Sequence, residues 1–215
     1  MKALARLLLA CLTLACAAAF AAPATPALQE GVHYERTAVG PYAPQPGKIE
    51  VVEVFGYTCG HCARFETTLH PWARQLPADV VFTPVPAAFG GFWDPWARAY
   101  FAARQLGVSA ASHQAVFDAI HVKRSLPASG ITPAALGAFY QAYGVTPAAF
   151  EAALRSEKNQ QEMARARQFA MDAEVAGTPT LIINGKYKVL GNSFEQMLRN
   201  ADALIARERR AGASK

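Results

Sequence analysis

Residues 48–65 read KIEVVEVFGYTCGHCARF, an apolar run that turns through Gly56 into Cys59 and Cys62, with only Gly60 and His61 between the cysteines. The first half is β-branched and aromatic and has the length of a strand. Its apolar residues do not alternate with polar ones, so the strand is expected to be central and covered on both faces. After Cys59 the period changes. Phe65, Leu69 and Trp72 recur at spacings of four and three, which predicts a helix, with Pro71 placed to kink it. The C-x-x-C therefore sits where a strand hands over to a helix. Unpaired backbone N–H groups and the dipole at a helix start favour a thiolate, taking a free thiol from about 8.5 to as low as about 3.5. A stabilised thiolate is a good leaving group and makes its disulfide comparatively oxidising. Cys59 is thus expected to be the nucleophile, and Cys62, one helical turn later, the resolving thiol.

Other readings of the pair are weaker. A zinc site needs four ligands, usually as two separated pairs, whereas His33, His70, His113 and His121 show no ligand spacing. No metal is expected. A structural disulfide across so short a loop would constrain the unfolded chain little. His61 can set a donor or a positive charge beside the Cys59 sulfur, or be a polar first-turn residue. Glu53, in the middle of the strand and six residues before Cys59, is hard to expose; a partly buried carboxyl there would exchange protons with Cys62. Glu50, on the opposite face by strand parity, is expected to reach water from the strand start. Farther along, Thr178-Pro179 directly precedes LIIN; a proline there must begin the strand, since it cannot donate to a ladder.

The N-terminus sets the compartment. Lys2 and Arg6 precede an apolar run from Leu7 to Ala18, and Ala19-Phe20-Ala21 supplies small residues at cleavage spacing. This is a secretory signal peptide, too short and too soon followed by Pro23 and Pro26 to span a membrane. Lipidation of Cys16 is a poorer fit. Cleavage after Ala21 takes Cys11 and Cys16 with it, so the four cysteines become one pair, in an oxidising compartment read as a bacterial periplasm. It also lowers the formal charge from +5 to +3, too mild to demand nucleic acid as a partner. The basic end ARERRAGASK reads as a solvated helix terminus complementing its dipole. With 52% apolar residues, the chain is globular.

Between these landmarks the order is strand, helix, strand, helical block, helix, hairpin, helix. An arm rich in Pro and Gly runs from Ala22 to Gly47, with a short strand around VHYERTAV. VVFTPVPAAF (80–89) is a second strand, put at an edge or bulge by Pro84 and Pro86. Asp94-Pro95, Thr132-Pro133 and Thr146-Pro147 each place a capping side chain before a proline, and Gly107 and Gly144 are stops. Residues 92–156 are therefore a set of short helices, followed by a helix from about Glu157 to Ala176. Asn184-Gly185 within LIINGKYKVL is a hairpin turn, and Ser193 with Gln196 a capping box for a last amphipathic helix.

Taken together, VVEVFGYTCGHC, the Gly177-Thr178-Pro179-Thr180 loop before LIINGKY, the helical block and the signal peptide resemble the DsbA-like thiol:disulfide oxidoreductases. The resemblance spans nearly the whole mature chain. It implies an α/β thioredoxin fold with an inserted all-helical domain: signal peptide 1–21, thioredoxin-like domain 22–91 and 157–210, inserted domain 92–156 and tail 211–215. It further implies a monomer with no cofactor beyond a redox-active Cys59–Cys62 disulfide, a cis Pro179 packed against it, and Glu53 as the acid beneath. Reduced exported polypeptides would bind by backbone pairing beside Thr178 and Pro179, and a membrane quinone-linked, DsbB-like oxidase would reoxidise the pair. Two departures stand out. Gly60 replaces a proline of the best-known members, and Gly-His resembles eukaryotic protein disulfide isomerase, implying a potential between about −180 and about −120 mV. VVFTPVPAAF also lacks the lysine that pairs with the acid in some relatives. An isomerase or reductase of the same fold, or a non-enzymatic module gripping metal or an unfolded client, are the competing readings. The secreted isomerases resemble dimers with a separate N-terminal domain, for which the arm here is short.

Overall fold

The computed structural model describes residues 27–213. The expected signal peptide, with Cys11 and Cys16, lies outside them. The sheet is organised around β2 (Ile49–Phe55), every residue of which is buried. β3 (Val80–Pro86) pairs parallel to it, from Ile49 opposite Val80 to Phe55 opposite Pro86. β4 (Thr180–Ile183) pairs antiparallel on its other side. β5 (Tyr187–Val189) and β1 (Tyr34–Arg36) complete the order β1-β5-β4-β2-β3. A parallel pair needs a crossover, and α1 (Gly60–Ala73) supplies it between β2 and β3, with Pro71 inside its last turn.

The absence of apolar–polar alternation in β2 is explained by its two coverings. Ile49 and Val51 pack with Phe65 and Leu69 of α1 and with Leu198, Ala201 and Leu204 of α7 (Phe194–Ala213). Val52 and Val54 belong to a second cluster with Trp96, Phe117 and Tyr140 from helices that follow β3. Each such side chain, withdrawn from water, contributes about 1.5–3 kcal/mol.

Five helices lie between β3 and β4: α2 (Trp93–Gln105), α3 (Ser109–Phe117), α4 (Pro133–Tyr140), α5 (Pro147–Arg155) and α6 (Glu157–Asp172). α3 runs on as a π-helical turn, Asp118–Val122. The fold is the expected thioredoxin fold interrupted by helices. Thr132 and Thr146 cap α4 and α5, each accepting from a backbone N–H three residues on. Asp94 does not cap α2, which begins one residue earlier. Its carboxylate instead accepts from Gly90 N–H and pairs with Arg167 of α6 at 2.7 Å. α6 ends at Asp172, short of Ala176, because Glu174 takes φ +50° and Val175 N–H turns back to Ala170 O.

Asn184 and Gly185 take φ +50° and +61°, the hairpin geometry anticipated from their sequence. Gly185 is held for a second reason: a Cβ there would stand 1.7 Å from the Gly40 carbonyl oxygen, since the arm crosses the turn.

Candidate active site

β2 ends at Phe55 and the chain turns through Gly56, Tyr57 and Thr58, with Cys59 N–H bonded to Gly56 O at 3.0 Å. That turn needs glycine for space. A Cβ on Gly56 would lie 2.2 Å from Trp93 Cζ3, so α2 packs directly on the strand end. Cys59 is the N-cap of α1, in extended geometry, and its Sγ accepts from Cys62 N–H at 3.4 Å. The sulfur thus takes the place usually filled by a Ser or Asp oxygen.

The two cysteines are unlinked and their settings are opposite. Cys59, half-buried, is lowered to about 5, first by the Cys62 side chain and then by Thr178 and the backbone N–H groups of Cys62 and His61; partial burial opposes this. Cys62 is fully buried, and its thiol is pushed far up by burial first and then by Cys59. One sulfur is held as a thiolate and the other as its hydrogen-bond donor.

The Thr178–Pro179 peptide is cis, and the Thr178 carbonyl lies 3.4 Å from Cys59 Sγ, where it accepts from the thiol form. Gly60 is under no steric demand, for a Cβ there would meet only Arg64 Nη1 at 3.8 Å. The His61 ring turns outward, its Nδ1 accepting from Arg64 Nη2 at 2.9 Å. What His61 gives the sulfur is its backbone N–H.

Glu53 is wholly buried, with neither carboxyl oxygen hydrogen-bonded. Burial, then Glu66, then Cys59 raise it well above the carboxylate range, so it carries a proton. Glu50 departs from expectation. It does not reach water: it is 3% exposed and accepts from Tyr42 N–H at 2.6 Å, Ala43 N–H at 2.8 Å and the Thr83 hydroxyl at 2.9 Å. The arm folds over the strand start and seals it.

Four neighbours were not singled out from the sequence. Glu66, on α1, is 4% exposed and lies 3.3 Å from His113 Nε2; His113 Nδ1 is 2.9 Å from the Tyr57 hydroxyl. His121 Nε2 lies 2.7 Å from Tyr57 O, so its N–H donates there. Glu66 had a legible signal, a charge one turn after Cys62 between the core residues Phe65 and Leu69. The histidines had none locally, because α3 and the π turn reach the site only through the tertiary fold. Among the described residues, no three His, Cys, Asp or Glu side chains gather as a metal-ion cluster.

Comparisons with known proteins agree in kind. A family model described as a DSBA-like thioredoxin domain matches residues 68–202, beginning after both cysteines. The chain is 41% identical over 170 residues to the thiol:disulfide interchange protein DsbA of Pseudomonas aeruginosa, covering 78% of this chain and 79% of that one. Its namesake in Azotobacter vinelandii is 40% identical over 170 residues, covering 78% of each. Among solved structures, the oxidoreductase DsbA of Xylella fastidiosa superposes with a TM-score of 0.83 at 47% identity, covering 85% of this chain and 98% of that one.

Proposed function

The chain belongs to the DsbA-like family of thiol:disulfide oxidoreductases, and on that premise we propose that it introduces disulfides into exported polypeptides through Cys59 and Cys62, in the periplasm. A client thiolate attacks Cys59 Sγ of the Cys59–Cys62 disulfide. The intramolecular S–S bond breaks, a client–Cys59 bond forms, and Cys62 leaves as thiolate. Glu53, protonated and without a hydrogen-bond partner, gives Cys62 its proton and takes back from water one of the protons released by the client thiols. A second client thiolate then attacks the client sulfur of the mixed disulfide, releasing oxidised client and Cys59 as thiolate. The client has lost two electrons and the cysteine pair has gained them, to be passed to a membrane quinone-linked thiol oxidase.

The observation that carries this reading is the asymmetry of the pair: a capped thiolate at Cys59 beside a buried thiol at Cys62. The second exchange expels Cys59, the sulfur better able to bear charge, and that favours oxidation of the client; the first expels Cys62, which needs a proton to leave. Thr178 and Pro179, next to Cys59, are the docking edge for the extended client backbone. The leader at 1–21 delivers the chain to the periplasm, and no described helix is long and apolar enough to cross a membrane.

Trapping tests the proposal. Cys62→Ala in the native compartment should accumulate mixed disulfides between Cys59 and many exported proteins, all lost in Cys59→Ser. Absence of adducts would overturn it. Efficient reshuffling of a scrambled multi-disulfide protein with little net oxidation would instead mark an isomerase.

A further inference from the structure

Glu53 on β2 and Glu66 on α1 are both buried, the charge of Glu66 bears on Glu53, and the site must decide which holds a proton. We propose that His113, from the inserted helices, makes that decision: by donating its Nε2–H to Glu66 it keeps the negative charge there and the proton on Glu53, so that Glu53 faces Cys62 as an acid. His113 is thus a positioning residue for the proton-transfer step, acting through Glu66.

The tautomer follows from hydrogen-bond satisfaction. Tyr57 is 1% exposed, and among the described residues its hydroxyl finds one partner, His113 Nδ1 at 2.9 Å. If Nδ1 carried a hydrogen, it would donate to Tyr57 and leave the phenolic proton buried with no acceptor, an unfavourable arrangement. Nδ1 therefore accepts and Nε2 bears the hydrogen. Nε2 is 3.3 Å from Glu66 Oε1, a contact that favours the charged carboxylate. Glu53 has no such donor on either oxygen. Two carboxyls coupled in one buried site share a single charge, and a donor on one of them settles which.

The surroundings leave few competitors. The His113 ring meets Phe55 of β2 at 4.9 Å, Phe117 of its own helix at 5.3 Å and Tyr100 of α2 at 6.0 Å. Tyr100 is pushed up to about 12 by burial and stays neutral, and burial likewise keeps the Tyr57 phenol protonated. The titratable groups that act electrostatically on Glu53, or on which it acts, are Glu66, Cys59, Cys62, Tyr57 and Tyr100. His121 engages the Tyr57 carbonyl, bracing the same residue from the π turn. Glu66 and His113 thus supply charge and donor from two different layers of the fold.

The inference rests on the exchange chemistry proposed for Cys59 and Cys62, but its primary readout does not need turnover. Carbon-13 carboxyl spectra of the full-length mature protein, reduced, should show Glu53 protonated and Glu66 ionised at neutral pH. In His113→Phe, which suits the aromatic surroundings but cannot donate, Glu53 should lose that proton preference, and attack of a small thiol on the disulfide should slow about tenfold. His113→Gln, which keeps an N–H donor, should recover most of both. A wild-type protein with the proton on Glu66, or an unchanged Glu53 in His113→Phe, would overturn the inference. The wild-type spectrum decides even if His113→Phe does not fold. Failure here would leave the Cys59 adducts intact, whereas failure of the exchange reading would remove them.

Discussion

The two ends of β2 carry the same side chain in opposite conditions. At the start, Glu50 is buried and receives three donors, from the arm and from β3. Toward the end, Glu53 is buried and receives none. Burial alone therefore does not make an acid reactive. A carboxyl ringed by donors is a fastening; one denied them keeps its proton. In the mechanism proposed above, the strand is a scaffold at one end and a reagent at the other.

Breaking the fastening should have the largest effect. Glu50→Gln leaves donors mismatched in a buried site and should cost about 3 kcal/mol in denaturant unfolding, with thiol exchange unchanged within about twofold. A variant that unfolds normally but loses exchange would reverse the roles assigned here. Glu53→Leu should do the converse, raising stability by about 2 kcal/mol at neutral pH while slowing exchange. The sign follows from the proton. Folded Glu53 keeps a proton that the unfolded chain loses above the ordinary carboxylate range, so its penalty grows as pH rises through that range and vanishes below it. A stabilisation that persisted undiminished into acid would contradict this.

The cysteines add a third test with the opposite slope. Cys59 titrates at about 5 when folded, against an ordinary value of 9.0. Between those limits the unfolded chain holds a proton that the folded chain has lost. Stability of the reduced protein should therefore rise from about pH 5 to about pH 9 and be lost as pH falls through 5, whereas the disulfide form lacks that dependence. Thiolate ultraviolet absorbance and paired denaturation curves check both halves. The smallest effect is expected from His61→Ala. Its ring leans on Arg64, not on sulfur, so the Cys59 midpoint should move by less than about half a unit. A larger shift would show that the imidazole turns inward in solution.

The architecture was legible where local chemistry acts alone. The apolar β2, the Asn184-Gly185 turn and the threonine caps all follow from neighbours in sequence. Cys59 at a helix start was readable for the same reason. What escaped depends on long-range arrivals. Glu50 looked solvent-bound because the covering arm gives no local sign of where it lies, and α6 ended early at a residue with no helix-breaking chemistry of its own. His113 and His121 were weighed only as metal ligands; their proximity to Tyr57 exists only once α3 and its π turn dock against the strand end.

β3 has an outer side as well as an inner one. Ala87 N–H bonds inward to Phe55 O, so by alternation Pro84 and Pro86 face away from β2. Neither has an amide hydrogen to offer, and the Pro84 carbonyl is already taken by the Tyr100 hydroxyl at 3.2 Å. An open strand edge is a template on which any extended chain can pair. Here two of the outward positions on that margin have no donor to give, so the edge beyond β3 is a poor place for another chain to settle.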